Sequence, residues 1–174
     1  AGRLSGRYLY ELPWYMIIGA PGSGKTTALR NSGLQFPLSD KMGEEAVRGV
    51  GGTRNCDWWF TDQAVLIDTA GRFTTQDSDQ AGDAATWTGF LGMLKRSRPR
   101  QPLNGVLVTV SVSDLIAKSA PERARYAATV RQRMQELHEK LNVRFPIYLL
   151  VTKCDLLAGF MDAFAALDKN QRAT

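Results

Sequence analysis

Short apolar runs alternate along the chain with stretches in which apolar residues recur every three or four positions. The first pattern suits buried strands and the second suits amphipathic helices, so the alternation predicts an α/β domain. Trp14 to Ile18 reads as a short buried strand ending at Gly19. A helix opens near Gly24 and runs to about Ser32, with Gly33 as its stop. Phe36 to Gly52 is polar and glycine-rich and reads as a loop. Arg54 to Phe60 and Ala64 to Ile67 read as strands separated by Thr61-Asp62-Gln63, which predicts an antiparallel hairpin. Phe73 to Gly82 is polar and expected to be mobile. Asp83 to about Lys95 puts Trp87, Phe90, Leu91 and Leu94 on one helical face, and Pro99 and Pro102 end that helix. Val106 to Val112 is a β-branched strand. Pro121 sits in the first turn of a helix reaching Leu141, with Tyr126, Val130, Met134 and Leu137 along its stripe. Pro146 to Val151 is expected as a buried strand and Gly159 to Leu167 as a last short helix.

The first strand and first helix flank Gly19-Ala20-Pro21-Gly22-Ser23-Gly24-Lys25-Thr26, followed by Thr27. Glycines at these spacings let successive N–H groups curl into one concavity, to which the helix N-terminus adds positive potential. Strand, loop and helix in this order are the context a phosphate loop requires. Lys25 would reach the β- and γ-phosphates, and the Thr26 hydroxyl would ligate magnesium. Asp68-Thr69-Ala70-Gly71 closes the second hairpin strand. Asp68 is the candidate to hold Mg2+, usually through water, and Gly71 to bring its N–H to the γ-phosphate. Thr53, just before the hairpin, is the candidate switch residue closing on magnesium and the γ-phosphate.

Thr152-Lys153-Cys154-Asp155 follows the last strand and resembles the Asn-Lys-x-Asp motif of GTPases, with threonine in the first place. A carboxylate at Asp155 accepts from both N1 and N2 of guanine. Adenine offers neither donor, and a carboxylate left unpaired costs about 1–3 kcal/mol. GTP is therefore favoured, with ATP as the alternative. Hydrolysis also needs a group that orients the attacking water. A glutamine does this in Ras-like proteins, whereas Arg72 stands there in this chain and Gln76 lies a few residues on. Arg72 as a charge-stabilising finger and Arg72 as the partner of a carboxylate both stay open.

Four stretches resemble the cytoplasmic NTPase-like domain of the IcmF/TssM proteins of bacterial type VI secretion. They are LPWYMIIGAPGSGKTTALRNSGLQFPL, GVGGTRNCDWWFTDQAVLIDTAGRFTTQDSD, PLNGVLVTVSVSDL and RFPIYLLVTKCDLLAGF. The resemblance implies a large membrane-anchored parent with this domain on the cytoplasmic face of the inner membrane. It also implies TssL and TssJ as partners, and contact with the baseplate. The short motifs also occur in signal-recognition-particle GTPases, where a longer insertion separates the first two. The shorter interval here ends in a hairpin, which favours a P-loop fold of the translation-factor and Ras type. Such a fold has a mostly parallel sheet with one antiparallel strand and helices on both faces.

Size and composition add bounds. The 174 residues suit one domain, expected to be a piece of a larger protein. Hydrophobic and charged shares of 44% and 22% are those of ordinary globular proteins, and no apolar run is long enough to span a bilayer. The two cysteines, Cys56 and Cys154, lack metal-ligand spacing and are expected to be free thiols. The net charge of +5 is modest. The basic run Lys95-Arg96-Ser97-Arg98-Pro99-Arg100 reads as a solvated helix end. No nucleic-acid module accompanies it, so no nucleic-acid partner is expected. His138 reads as an exposed residue on a polar helix.

Overall fold

The computed structural model of the chain describes residues 10–36, 56–75, 80–168 and 171. Its strands are β1 (Trp14–Ile18), β2 (Cys56–Phe60), β3 (Val65–Thr69), β4 (Gly105–Ser111) and β5 (Ile147–Thr152). They form one five-stranded sheet in the order β2-β3-β1-β4-β5. All neighbours run parallel except β2, which is antiparallel to β3. The hairpin turn explains the exception. The Thr61 hydroxyl accepts from the Gln63 and Ala64 amides and donates to the Ala64 carbonyl, closing the turn on itself.

The helices are α1 (Lys25–Arg30), α2 (Arg72–Thr75), α3 (Gln80–Ser97), α4 (Val112–Ala117), α5 (Ala120–Leu141) and α6 (Phe160–Ala165). Side chains alternate across β1 and divide the core in two. Met16 and Ile18 join Ile67, Val106 and Val108 against Trp87, Leu91 and Leu94 of α3 and Met134, Leu137 and Leu141 of α5. Ile17 joins Leu66, Trp59 and Ala64 against Leu29 of α1. Helices therefore cover both faces of a mostly parallel sheet. Trp58 and Trp59 fall to opposite faces, as alternation requires. α5 begins with a reciprocal Ser119–Glu122 capping box and ends at Asn142 in the left-handed conformation.

Several elements depart from the sequence reading. Arg72–Thr75 is helical, α3 starts at Gln80, and Phe73 and Thr74 are buried, so the stretch expected to be mobile is largely structured where it is described. Val112 does not end β4 but opens α4, which Ser111 caps by accepting from the Asp114 amide. β5 forms as expected but is not buried. Ile147, Leu149 and Val151 on one face and Tyr148 on the other are 47–67% exposed, so the described helices leave both faces of this last described strand open. Arg98 is 1% exposed rather than solvated, with its guanidinium against the Tyr10 and Trp14 rings. His138 is half-buried and stacks on Phe145. Both cysteines are free thiols. Among the described residues no helix is long and apolar enough to cross a membrane.

Candidate functional site

β1 and β3 are parallel neighbours, with Ile17 opposite Asp68, so the loop after β1 and the carboxylate near the end of β3 reach the same edge of the sheet. Ligand sites of open α/β sheets form at such an edge. The loop Gly19 to Gly24 turns on Gly22 and Gly24, whose φ of 72° and 85° suit glycine. Gly19 has a different reason to be glycine: a Cβ there would lie 2.5 Å from the Thr109 carbonyl oxygen. Two loop amides are held by other elements. Gly19 N donates to Thr74 Oγ1 at 3.2 Å, and Ala20 N donates to the Tyr126 hydroxyl at 3.3 Å. Ser23 N donates to Ala20 O within the loop, and Pro21 has no N–H. α1 opens at Lys25 without a side-chain cap, which leaves first-turn donors available to a ligand. Thr27 lies exposed on α1.

Lys25 is only 8% exposed, and its ammonium donates to Gly19 O at 2.9 Å and Ala20 O at 3.0 Å. Burial pushes its pKa down, and the nearby Asp68 carboxylate opposes the shift. Thr26 Oγ1 donates to Asp68 Oδ2 at 2.7 Å. Asp68 is 6% exposed and its Oδ1 has no hydrogen-bond partner among the described residues. Burial raises its pKa. The Thr26 hydrogen bond and Lys25 pull it back, and Asp57 pushes it further up. Lys25, Thr26, Asp68 and Gly71 line one concavity, with Pro21, Gly22, Cys56 and Asp57 on its other walls.

The segment Thr152 to Asp155 meets this loop at one point. Thr152 Oγ1 donates to Ser23 O at 2.6 Å, tying the end of β5 to the glycine loop. Lys153 holds a left-handed φ of 59°, and its Nζ lies 3.9 Å from Asp114 Oδ1. Asp155 sits in a short 3-10 turn over Cys154–Leu156, exposed and without a hydrogen bond or ion pair among the described residues. Arg72 Nε lies 3.0 Å from Asp83 Oδ1, in an ion pair that links α2 to α3. Thr53 and Gln76 lie outside the described residues. The structure thus brings Gly19 to Thr26, Asp68, Gly71 and Thr152 together.

Three contributors escaped the sequence reading. Thr74 and Tyr126 orient loop amides from positions far along the chain, and no local pattern announces them. Asp57 was findable, because the hairpin register sets it opposite Asp68. No group of three or more His, Cys, Asp or Glu residues that could hold a metal exists among the described residues.

Comparison with known proteins adds a family. The model of the IcmF-related N-terminal domain matches residues 80–174, a span that includes Thr152 to Asp155 but not the phosphate loop. The chain is also 61% identical, over 167 residues and 96% of its length, to the type VI secretion system component TssM1 of Pseudomonas aeruginosa. It spans 15% of that relative's length. The chain belongs to the IcmF/TssM family.

Proposed function

We propose that the domain is a P-loop nucleoside-triphosphate-binding switch of the translation-factor and Ras type, favouring GTP and hydrolysing it slowly, within a type VI secretion membrane complex. The observation that carries the nucleotide reading is the Thr26–Asp68 hydrogen bond. A loop hydroxyl and a strand-end carboxylate meet 2.7 Å apart beside a buried lysine. Hard oxygen donors suit magnesium, and the unpartnered Asp68 Oδ1 fits such a cation. When bound, magnesium would supply neutralisation of the phosphate charge. The chain's own residues do the rest. Two of the three Lys25 donors hold loop carbonyls, and the third is left for a phosphate oxygen. Thr152 braces the loop through Ser23, and the exposed Asp155 stands free to read guanine.

The place in secretion rests on the kinship with TssM1. TssL- and TssJ-type subunits, baseplate components and the cytoplasmic face of the inner membrane belong to the same reading. A second reading, a scaffold that holds nucleotide without turning it over, is favoured by Arg72. It follows Gly71 directly, where Ras-like proteins place glutamine, and its guanidinium is paired with Asp83.

Titration of fluorescent GTP and ATP into the wild type, Lys25→Ala and Asp155→Asn tests the binding. Saturable GTP binding is expected, lost in Lys25→Ala and weakened for GTP alone in Asp155→Asn. Affinities that ignore both substitutions would sink the proposal. Single-turnover phosphate release above the Lys25→Ala background separates the switch from the scaffold.

A further inference from the structure

We propose that Asp57 is a second carboxylate for the divalent cation of the phosphate site, acting through the cation's hydration shell, and that it makes triphosphate binding conditional on that cation. The inference rests on the nucleotide reading above and deepens it.

Asp57 lies on β2 directly opposite Asp68 on β3. Opposed residues of an antiparallel pair project to the same face, with Cβ atoms about 4.5–5.5 Å apart. That face is the α1 side, since the next pair on it, Trp59 and Leu66, packs with Leu29 of α1. Asp57 therefore looks onto the same space as Thr26 and Lys25, and it lines the concavity with them.

This pairing is costly for the fold alone. Like charges directly opposite one another destabilise a sheet. The Asp57 side chain has no hydrogen bond or ion pair among the described residues. Asp68 Oδ1 is buried in the same concavity without a partner among the described residues, although the other oxygen of that carboxylate is well bonded. An orphaned buried oxygen beside a second, partnerless carboxylate and a threonine hydroxyl is a set of hard oxygen donors. Magnesium retains several waters when it binds protein, so a carboxylate one shell out still holds it electrostatically.

Charge then sets the order of events. The described walls carry two carboxylates, Asp57 and Asp68, against the single ammonium of Lys25. A triphosphate entering alone meets both carboxylates besides the loop amides, while one that arrives with a divalent cation is drawn to the same carboxylates. Asp57 is thus a positioning and coupling residue rather than a catalytic one.

The test uses Mn2+ titrations read by electron paramagnetic resonance of free Mn2+, on the GTP complexes of wild type, Asp57→Asn, Asp57→Ser and Asp62→Asn. Asp62 lies exposed in the hairpin turn and matches the charge change. Both Asp57 variants are expected to weaken Mn2+ binding roughly tenfold or more, with Asp62→Asn unchanged. In EDTA, fluorescent GTP should bind the Asp57 variants more tightly than the wild type, so that the gain in affinity on adding Mg2+ shrinks. Asp57 variants that match Asp62→Asn in both measurements overturn the inference while leaving the nucleotide reading intact. A folded wild type that binds no fluorescent GTP with or without Mg2+ overturns both. Two substitutions of different size guard against a folding defect confined to one.

Discussion

Gly71 lies so close to Pro21 that a Cβ added to it would come within 2.4 Å of the Pro21 nitrogen. The turn after β3 and the glycine loop after β1 are packed backbone against backbone. In a switch, this contact would transmit a change at the γ-phosphate end into the segment that begins α2. Gly71→Ala is expected to destabilise the domain by about 1–3 kcal/mol through overpacking and to weaken GTP binding. Gly89, inside α3 with nothing within 4 Å of an added Cβ, is the contrast. Gly89→Ala should stabilise by about 1 kcal/mol. Urea unfolding of the pair checks this, and a Gly71→Ala domain as stable as the wild type would show that the loops part freely.

Asp68 and Lys25 both make the ligand-free domain less stable at neutral pH than its packing allows. The folded pKa of Asp68 is raised from 3.8, chiefly by burial. Its contribution is fully present below that value and is lost as pH rises through the raised folded pKa. The pKa of Lys25 is lowered from 10.5, again chiefly by burial, so its cost persists at neutral pH and is relieved as pH climbs toward 10.5. Asp68→Asn should therefore melt higher than the wild type at pH 7.5 without ligand, and nearly level with it below pH ~3.8. It should also lose the stabilisation that GTP and Mg2+ give the wild type. A lower midpoint for Asp68→Asn at pH 7.5 would contradict the burial argument.

Thr152 and Asp155 are three residues apart and should fail in different ways. Thr152→Val removes the 2.6 Å bond to Ser23 O, which should cost about 1 kcal/mol and weaken GTP and ATP alike. Asp155 is exposed and has no partner among the described residues, so Asp155→Asn should leave stability unchanged and weaken GTP only. Calorimetric titration of both variants with both nucleotides reads the crossed pattern, and loss of discrimination in Thr152→Val would undo it.

Arg72 points to Asp83 on α3, and its side chain is 40% exposed. Arg72→Ala and Asp83→Asn should each destabilise by about 1 kcal/mol, because partial solvation discounts the pair. Neither should alter nucleotide affinity. Denaturation midpoints and GTP titrations check this, and a selective loss of phosphate release in Arg72→Ala would give Arg72 a direct part in hydrolysis.

The first strand, the glycine turn and the helix after it were readable because their signals are local: an apolar run, then glycines, lysine and threonine at fixed spacing. The hairpin was readable from the three polar residues Thr61 to Gln63. α4 was missed because Val106 to Val112 continues the apolar run past the strand's end, although Ser111 and Asp114 carry a capping signal three apart. The burial of Arg98 depends on Tyr10 and Trp14, more than eighty positions away, and no window of sequence contains that fact. The exposure of β5 had the same cause, since an apolar run states what a strand would bury and not whether a neighbour exists to bury it. Thr53 and Gln76 lie outside the described residues, so the switch and water-orienting roles assigned to them still rest on sequence spacing.

β5 leaves the sheet with a sticky margin. Its outer side pairs with no described strand, and Ile147, Tyr148, Leu149 and Val151 stand exposed along it. Such a margin templates strand addition from other molecules. For anyone handling this span of polypeptide, concentration becomes the governing variable. Static light scattering should show reversible self-association that grows with loading, and Leu149→Lys should suppress it while leaving GTP binding untouched.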